Sequence, residues 1–299
     1  MGGYFGAKLA AAGHDVLFIA RGEHLGAMQR AGLRVLSPNG DLYIRDAQFL
    51  AMPDSGPVVD LVLFCVKSYD TQSVAQQLGP LLDETTTILS LQNGIDNPDK
   101  IAALWGARRV LAGVVYIGAE IASPGVIRHS NGGKIVFGRL PGQVADSATQ
   151  IERRLAEANI PCQLTTSIET TQWSKLLWNA PFCAISCLAR ADVKQIVDSP
   201  ILTELAIACM AEVQAAAQLR GVVLRQALFE QTIEFSRGLG GFKPSMLQDL
   251  EAGKPLEYEA FNGIVLHLLR SAGRSAPINQ TFYALLQQLE RSSREITLA

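Results

Sequence analysis

Hydrophobic residues in the first half of the chain follow two alternating patterns. Short continuous apolar runs alternate with stretches where apolar positions recur every three or four residues. GGYFGAKLAAA (2–12) reads as a helix with small residues on one face, and VLFIA (16–20) as a buried strand. GEHLGAMQRA (22–31) is helical in pattern, while VVDLVLFCV (58–66), rich in Val and Leu, suits a strand buried on both faces. YDTQSVAQQLGPLL (69–82) predicts a helix, TTILSLQNG (86–94) a strand ending in a polar turn, and RVLAGVVYIGAEI (109–121) a further strand. VIRHSNGGKIVFG (126–138) carries the Asn-Gly-Gly signal of a β-hairpin. Strands alternating with helices predict an open, largely parallel α/β sheet.

Beyond about residue 163 the period changes. Helical patterns take over at 168–197, 200–219, 224–236, 256–271 and 277–292, and strand signals almost vanish. The chain therefore divides into a Rossmann-like, nucleotide-binding domain over 1–163 and an all-helical domain over 164–299. A cleft between two such domains is a favoured place for a substrate.

Composition narrows the function classes. Of 299 residues 48% are hydrophobic and 18% charged, so a packed core is expected and global disorder is not. The net charge of -2, with both signs mixed throughout, predicts neither nucleic-acid binding nor an anionic membrane surface. The apolar runs are too short to span a bilayer, and no export-signal pattern is read at the start. The five cysteines include no C-x-x-C pair and fit reduced thiols in a cytoplasmic protein. The four histidines show no metal-ligand spacing, so no metal is expected.

Candidate chemistry sits at the ends of the predicted elements. Gly2, Gly3 and Gly6 fall on the first turns of a helix, where small residues let helix, strand and pyrophosphate approach. Close packing of the helix alone is the competing explanation. The next strand ends at Arg21, where NAD-binding folds place an acidic acceptor for the ribose hydroxyl. A guanidinium there grips a 2′-phosphate instead, which predicts NADP(H). Lys67 and Asn93 follow two further strand ends. In the helical half, Lys175 and Asn179 lie four apart, on one helical face. Pro181 is expected to kink or break that helix just after Asn179. Ser245 is expected in a turn and Glu257 at the opening of the next helix, where a glutamate often only complements the helix dipole.

Together, GGYFGAKLAAAGHDV, the strand-end Arg21, VKSYDT, LQNG, WSKLLWNA and SMLQDLEAGKPLE resemble the ketopantoate reductases (2-dehydropantoate 2-reductases) over essentially the whole chain. The Lys-x-x-x-Asn pair and a serine twelve residues before a glutamate are the specific features. The resemblance implies a Rossmann-like domain followed by an all-α domain of the 6-phosphogluconate dehydrogenase C-terminal type. It also implies NADPH-dependent reduction of a small 2-oxo acid in pantothenate and coenzyme A biosynthesis. On it, Lys175 is the general acid and Glu257 orients it and contacts the cofactor. Asn179 and Ser245 bind the substrate, and Asn93 serves both substrate and cofactor. Gly2, Gly3, Arg21, Lys67 and the backbone at Ala119 line the cofactor site.

The sequence departs from the family at Cys183, a substrate-binding candidate where many relatives carry an asparagine that helps bind the substrate, and at Phe242, where some members place another asparagine. These departures put substrate identity in doubt and leave a more apolar 2-oxo acid open. A non-catalytic NADP-binding relative and a 3-hydroxy-acid dehydrogenase are the other readings. A homodimer is compatible with all of them. Relatives also have about ten residues ahead of Met1, forming the first strand and two further glycines. Met1 is therefore expected not to be the natural start, and two strands are expected to lack a ladder partner.

Overall fold

The computed structural model describes residues 1–140 and 147–298, and the chain forms two compact units, Met1–Ile168 and Glu169–Ala299. In the first unit, α1 (Gly2–Ala11), α2 (Gly22–Ala31), α3 (Thr71–Ala75), α4 (Asn97–Trp105) and α5 (Ser147–Glu157) accompany nine strands among the described residues. These are β1 (Leu17–Ile19), β2 (Leu33–Leu36), β3 (Leu42–Ile44), β4 (Gln48–Leu50), β5 (Leu61–Phe64), β6 (Thr87–Ser90), β7 (Val110–Ser123), β8 (Val126–Arg139) and β9 (Cys162–Thr165).

The main sheet runs β3-β2-β8-β7-β6-β5, with β9 also paired to β8. It is mixed. The β5/β6, β6/β7, β2/β8 and β8/β9 ladders are parallel, while β7/β8 and β2/β3 are antiparallel. β1 pairs in parallel with β4 in a separate two-stranded sheet. Among the described residues β1 and β5 thus pair on one side each, as expected of two strands without a common neighbour.

That arrangement corrects the reading of 58–66 as a strand buried on both faces. β5 is an edge strand whose Leu61, Val62 and Leu63 are only partly covered, whereas its neighbour β6 is buried throughout. The predicted helix over 69–82 also resolves differently. Only Thr71–Ala75 is α-helical, and the flanking turns at Ser68–Asp70 and Gln76–Leu81 are 3-10, the latter containing Pro80. A proline inside a helical stretch removes a donor, so the longer helix does not propagate.

Asn131-Gly132-Gly133 is not a hairpin turn. It lies inside the continuous strand β8, opposite a register shift between Tyr116 and Ile117, and the β7–β8 turn is at Pro124–Gly125. Gly132 (φ +73°) and Gly133 (φ +109°) supply left-handed backbone, which serves a bulge as well as a turn. A Cβ at Gly132 would lie 2.3 Å from the Tyr116 carbonyl oxygen.

The second unit contains α6 (Ile168–Ala189), α7 (Val193–Asp198), α8 (Pro200–Leu219), α9 (Ala227–Arg237), α10 (Ser245–Glu251), α11 (Ile264–Ser271) and α12 (Pro277–Leu298). A π-helical turn at Glu259–Gly263 leads into α11. Pro181 sits within α6 and does not end it; the break comes instead at Arg190, whose φ of +54° is left-handed. Asp192 then starts α7 with a reciprocal capping box to Gln195. α8 is long and apolar enough to cross a membrane by length and composition. Its Ala206, Cys209, Met210, Val213, Ala216 and Ala217 are buried, and it packs on α11, α12, α7 and α9.

Gly132→Ala should cost about 1–3 kcal/mol, the usual cost of holding a non-glycine residue in such a conformation. The check is a lower urea midpoint at unchanged m-value; an unchanged midpoint would mean that the bulge relaxes freely.

Candidate active site

Two groups of residues stand out, one in each unit. In the first, α1 packs so closely on the strands that a side chain on its glycines would make neighbours shift. A Cβ on Gly2 would lie 3.1 Å from the Cys65 Cβ, one on Gly3 would lie 2.2 Å from the Ile127 Cδ1, and one on Gly6 would lie 2.6 Å from the Phe18 ring. These contacts account for the glycines as packing residues. The N–H groups of Gly2 and Gly3, in the first turn of α1, have no intrahelical acceptor by helix geometry.

Lys67 lies at the same helix start. The Met1 amine is held below its ordinary pKa by burial first, with Cys65 opposing the shift and the Lys67 ammonium adding to it. Arg21, at the end of β1, reaches Asp70 at 3.3 Å, beyond the end of β5, while its side chain stays 66% exposed. The structure thus gathers Gly2, Gly3, Lys67 and Arg21 around the start of α1 and the ends of β1 and β5. Among the described residues no three His, Cys, Asp or Glu side chains are grouped to hold a metal ion.

Asn93 follows β6 and is tied to the Lys67 turn through buried polar side chains. The Asn97 Nδ2 donates to the Asn93 carbonyl at 2.6 Å. The Thr71 hydroxyl lies 2.8 Å from the Asn97 Oδ1 and 2.9 Å from the Ser68 carbonyl. Gln92 Nε2 donates to that hydroxyl at 2.6 Å, and the Ser90 hydroxyl donates to Gln92 Oε1 at 3.1 Å. Thr71, Gln92 and Asn97 are therefore the residues that join two strand-end turns, and sequence reading missed them. Their one signal was polarity inside an otherwise apolar strand–turn–helix segment. Ala119 is on β7, opposite His129.

The second unit brings its predicted residues together. Lys175, Asn179 and Cys183 recur every four residues along one face of α6. Leu176, Leu177 and Phe182 beside them are buried and hold the helix in place. Asn179 is 5% exposed and Cys183 fully buried. Lys175 is half-buried, and desolvation pulls its ammonium down to a pKa of about 8, with electrostatic interactions from Cys183 and Glu257 opposing the shift. Burial likewise pushes the Cys183 thiol upward, opposed in part by the backbone N–H of Met246.

Ser245 is not in a turn but is the exposed first residue of α10, and its neighbour Met246 brings that helix onto α6 at Cys183. Glu257 is not a solvated first-turn glutamate. It precedes the helical residues that begin at Tyr258, and at 3% exposure it is a buried carboxylate acting on the Lys175 ammonium. Phe242 lies against Trp178, with ring centroids 6.3 Å apart, and Trp178 stacks on Phe182 at 5.3 Å.

A Rossmann-like unit followed by a helical unit carrying a desolvated lysine beside a buried glutamate defines a pyridine-nucleotide type of oxidoreductase architecture. Residues 1–142 match the family profile of ketopantoate reductase PanE/ApbA and residues 167–290 that of its C-terminal region. The 2-dehydropantoate 2-reductase of Mesorhizobium japonicum is 30% identical over 97% of this chain and 94% of its own. A solved PanE/ApbA family ketopantoate reductase from Ralstonia eutropha covers 98% of this chain and 96% of its own, at 30% identity and a TM-score of 0.91. A D-mandelate dehydrogenase solved with NADH and anilino(oxo)acetate, 19% identical with a TM-score of 0.91 over 98% of this chain and 96% of its own, shares the fold. The chain belongs to the ketopantoate reductase family, oxidoreductases acting on a CH–OH group.

Lys175 should titrate near pH 8 by NMR of the lysine side-chain signals, below the ordinary lysine range. Glu257→Gln removes a charge that raises this pKa and should move the titration lower still. Assignment of the signal by its loss in Lys175→Ala completes the measurement, and a Lys175 signal in the ordinary lysine range would contradict this desolvation.

Proposed function

We propose that the chain reduces 2-dehydropantoate to pantoate with NADPH, using Lys175 as general acid. The observation that carries this reading is the Lys175 ammonium, desolvated beside buried Glu257 on the α6 face that also bears Asn179. The bound cofactor supplies hydride to the C2 ketone. As charge develops on the ketone oxygen, the Lys175 ammonium stabilises it and gives up a proton. A pKa of about 8 suits this role, because the group is still protonated at neutral pH yet releases its proton readily. Glu257 keeps the ammonium charged and oriented. Asn179 and Ser245 bind the hydroxyl and carboxylate groups of the substrate.

The residues of the first unit fit the cofactor. The free N–H groups of Gly2 and Gly3 and the Lys67 ammonium suit a pyrophosphate, and the exposed Arg21 guanidinium suits a 2′-phosphate. Asp70 does not prevent this, since an exposed ion pair is worth only about 0–1 kcal/mol and exchanges readily for a phosphate. Asn93, Ala119 and Glu257 complete the proposed cofactor contacts. The place of the reaction is pantothenate and coenzyme A biosynthesis in the cytoplasm, a compartment that suits five free cysteines.

A second reading concerns the acid reduced. Buried Cys183 and the Trp178–Phe182–Phe242 aromatic cluster favour a 2-oxo acid with an apolar tail.

Loss of NADPH absorbance with 2-dehydropantoate and a panel of aliphatic and aromatic 2-oxo acids tests both. Lys175→Ala should lower kcat by about 10²–10⁴-fold, the usual contribution of such an acid. Because the acid must be protonated, kcat should fall as pH rises through about 8. Full turnover in Lys175→Ala would end the proposal, and no turnover with any 2-oxo acid would leave a cofactor-binding protein. Arg21→Ala should weaken NADPH binding while leaving NADH nearly unchanged. A constant ratio of the two affinities would rule out Arg21 as the 2′-phosphate ligand.

A further inference from the structure

We infer that Asn262 is a positioning residue that holds Lys175 and Glu257 in register. The inference rests on Lys175 being the acid, as proposed above. Asn262 and Asn279 are both fully buried. The two Nδ2 hydrogens of Asn262 go in different directions, one to the Ala180 carbonyl at 3.1 Å and the other to Asn279 Oδ1 at 3.0 Å. Asn279 is itself anchored. Its Nδ2 and backbone N–H donate to Glu212 Oε2 at 2.7 and 2.8 Å, and the Ile278 N–H donates to Glu212 Oε1 at 2.8 Å. The Cys209 thiol also donates to Asn279 Oδ1, at 3.6 Å. One chain of hydrogen bonds thus runs from α8 through the start of α12 and the π-helical turn to the backbone of α6.

The place where it reaches α6 gives it a purpose. Pro181 has no N–H, so the Leu177 carbonyl lacks its usual intrahelical partner and α6 is one bond short there. This soft point lies between Lys175 and Asn179 on one side and Cys183 on the other. Asn262 grips the carbonyl of Ala180, the residue just before the proline. Asn262 is also only five residues after Glu257, at a π-turn whose wide winding brings its amide to α6. One side chain therefore ties the segment carrying the carboxylate to the helix carrying the ammonium. The cost is visible: Asn262 Oδ1 is buried without a hydrogen-bond partner. A group left in that state costs free energy, so simple packing would be better served by an apolar residue of the same shape.

Two variants test the clamp. Asn262→Leu removes both donations at similar volume, and Asn279→Ala keeps the Ala180 bond while cutting the anchor behind it. In Asn262→Leu, kcat should fall by up to about 100-fold, the scale expected for a displacement near 1 Å, with little change in the Kd for NADPH. The Lys175 titration, followed by NMR without substrate, should move below about 8 as Glu257 loses its hold on the ammonium. Asn279→Ala should show the same changes in smaller measure. Unchanged kcat and an unchanged lysine titration, with only a lower Tm, would overturn the inference and leave Asn262 a structural residue. If Asn262→Leu does not fold, Asn279→Ala decides by the same two readouts. Because the NMR titration needs no turnover, failure of the clamp is distinguishable from failure of Lys175 as the acid, which Lys175→Ala alone reports.

Discussion

The helical unit is organised around one unfavourable act, the partial removal of the Lys175 ammonium from water. Burial opposes the charged form, and Glu257 opposes that loss by placing a carboxylate within electrostatic reach. Neither residue is useful in its place without the other. Without that counter-charge the ammonium would fall further below its ordinary pKa. A lysine left in water would keep its proton too firmly and would not concentrate its field on a substrate oxygen. The net result, a pKa of about 8, lies between those limits. Other features of the unit serve the balance. The four-residue spacing along α6 puts Lys175, Asn179 and Cys183 on one face, and the return of the chain through α10 brings Met246 and Glu257 to it.

The first unit meets a different requirement. Its candidate residues lie at strand ends and must be precise while remaining open to a ligand. The buried Thr71–Gln92–Asn97 network meets this by joining the turn after β5 to the turn after β6 from beneath. Every bond in it satisfies a polar group that would otherwise be costly inside the fold. The glycines of α1 act in the same sense, letting the helix sit so close to the sheet that its first-turn N–H groups have a fixed direction.

What the sequence discloses of all this depends on whether the signal is local. Periodicity locates α1, α2, α8 and α12 and marks where the strands stop, because amphipathic faces are written into consecutive residues. The four-residue step between Lys175 and Asn179 is legible for the same reason. Asn-Gly-Gly marks left-handed backbone correctly, but not whether that backbone turns the chain or bulges a strand; pairing with Tyr116 and Ile117 decides it. Pro181 marks a missing donor, yet α6 survives because tertiary contacts hold the helix across the gap. Edge or centre is likewise a property of neighbours, so β5 reads as fully buried and is not. Asn262 and Asn279 illustrate the limit: nothing near them in sequence distinguishes two buried amides from two solvated ones.

The two cations with proposed roles in the chemistry differ in exposure. Arg21 stays in water, where its charge is screened and its pairing with Asp70 is weak, so it can exchange a carboxylate for a phosphate at little cost. That would suit the proposed task of choosing between cofactors that must also leave. Lys175 is desolvated, so its charge is felt strongly over a short range and is sensitive to small displacements of its partners. Such a group needs a frame held by more than helix propensity, the more so where a proline has taken one backbone bond out of the helix that carries it. An exposed recognition residue can tolerate a loose setting. A desolvated one cannot, and the Asn262 amide meets that need where it grips α6 at the residue just before the proline.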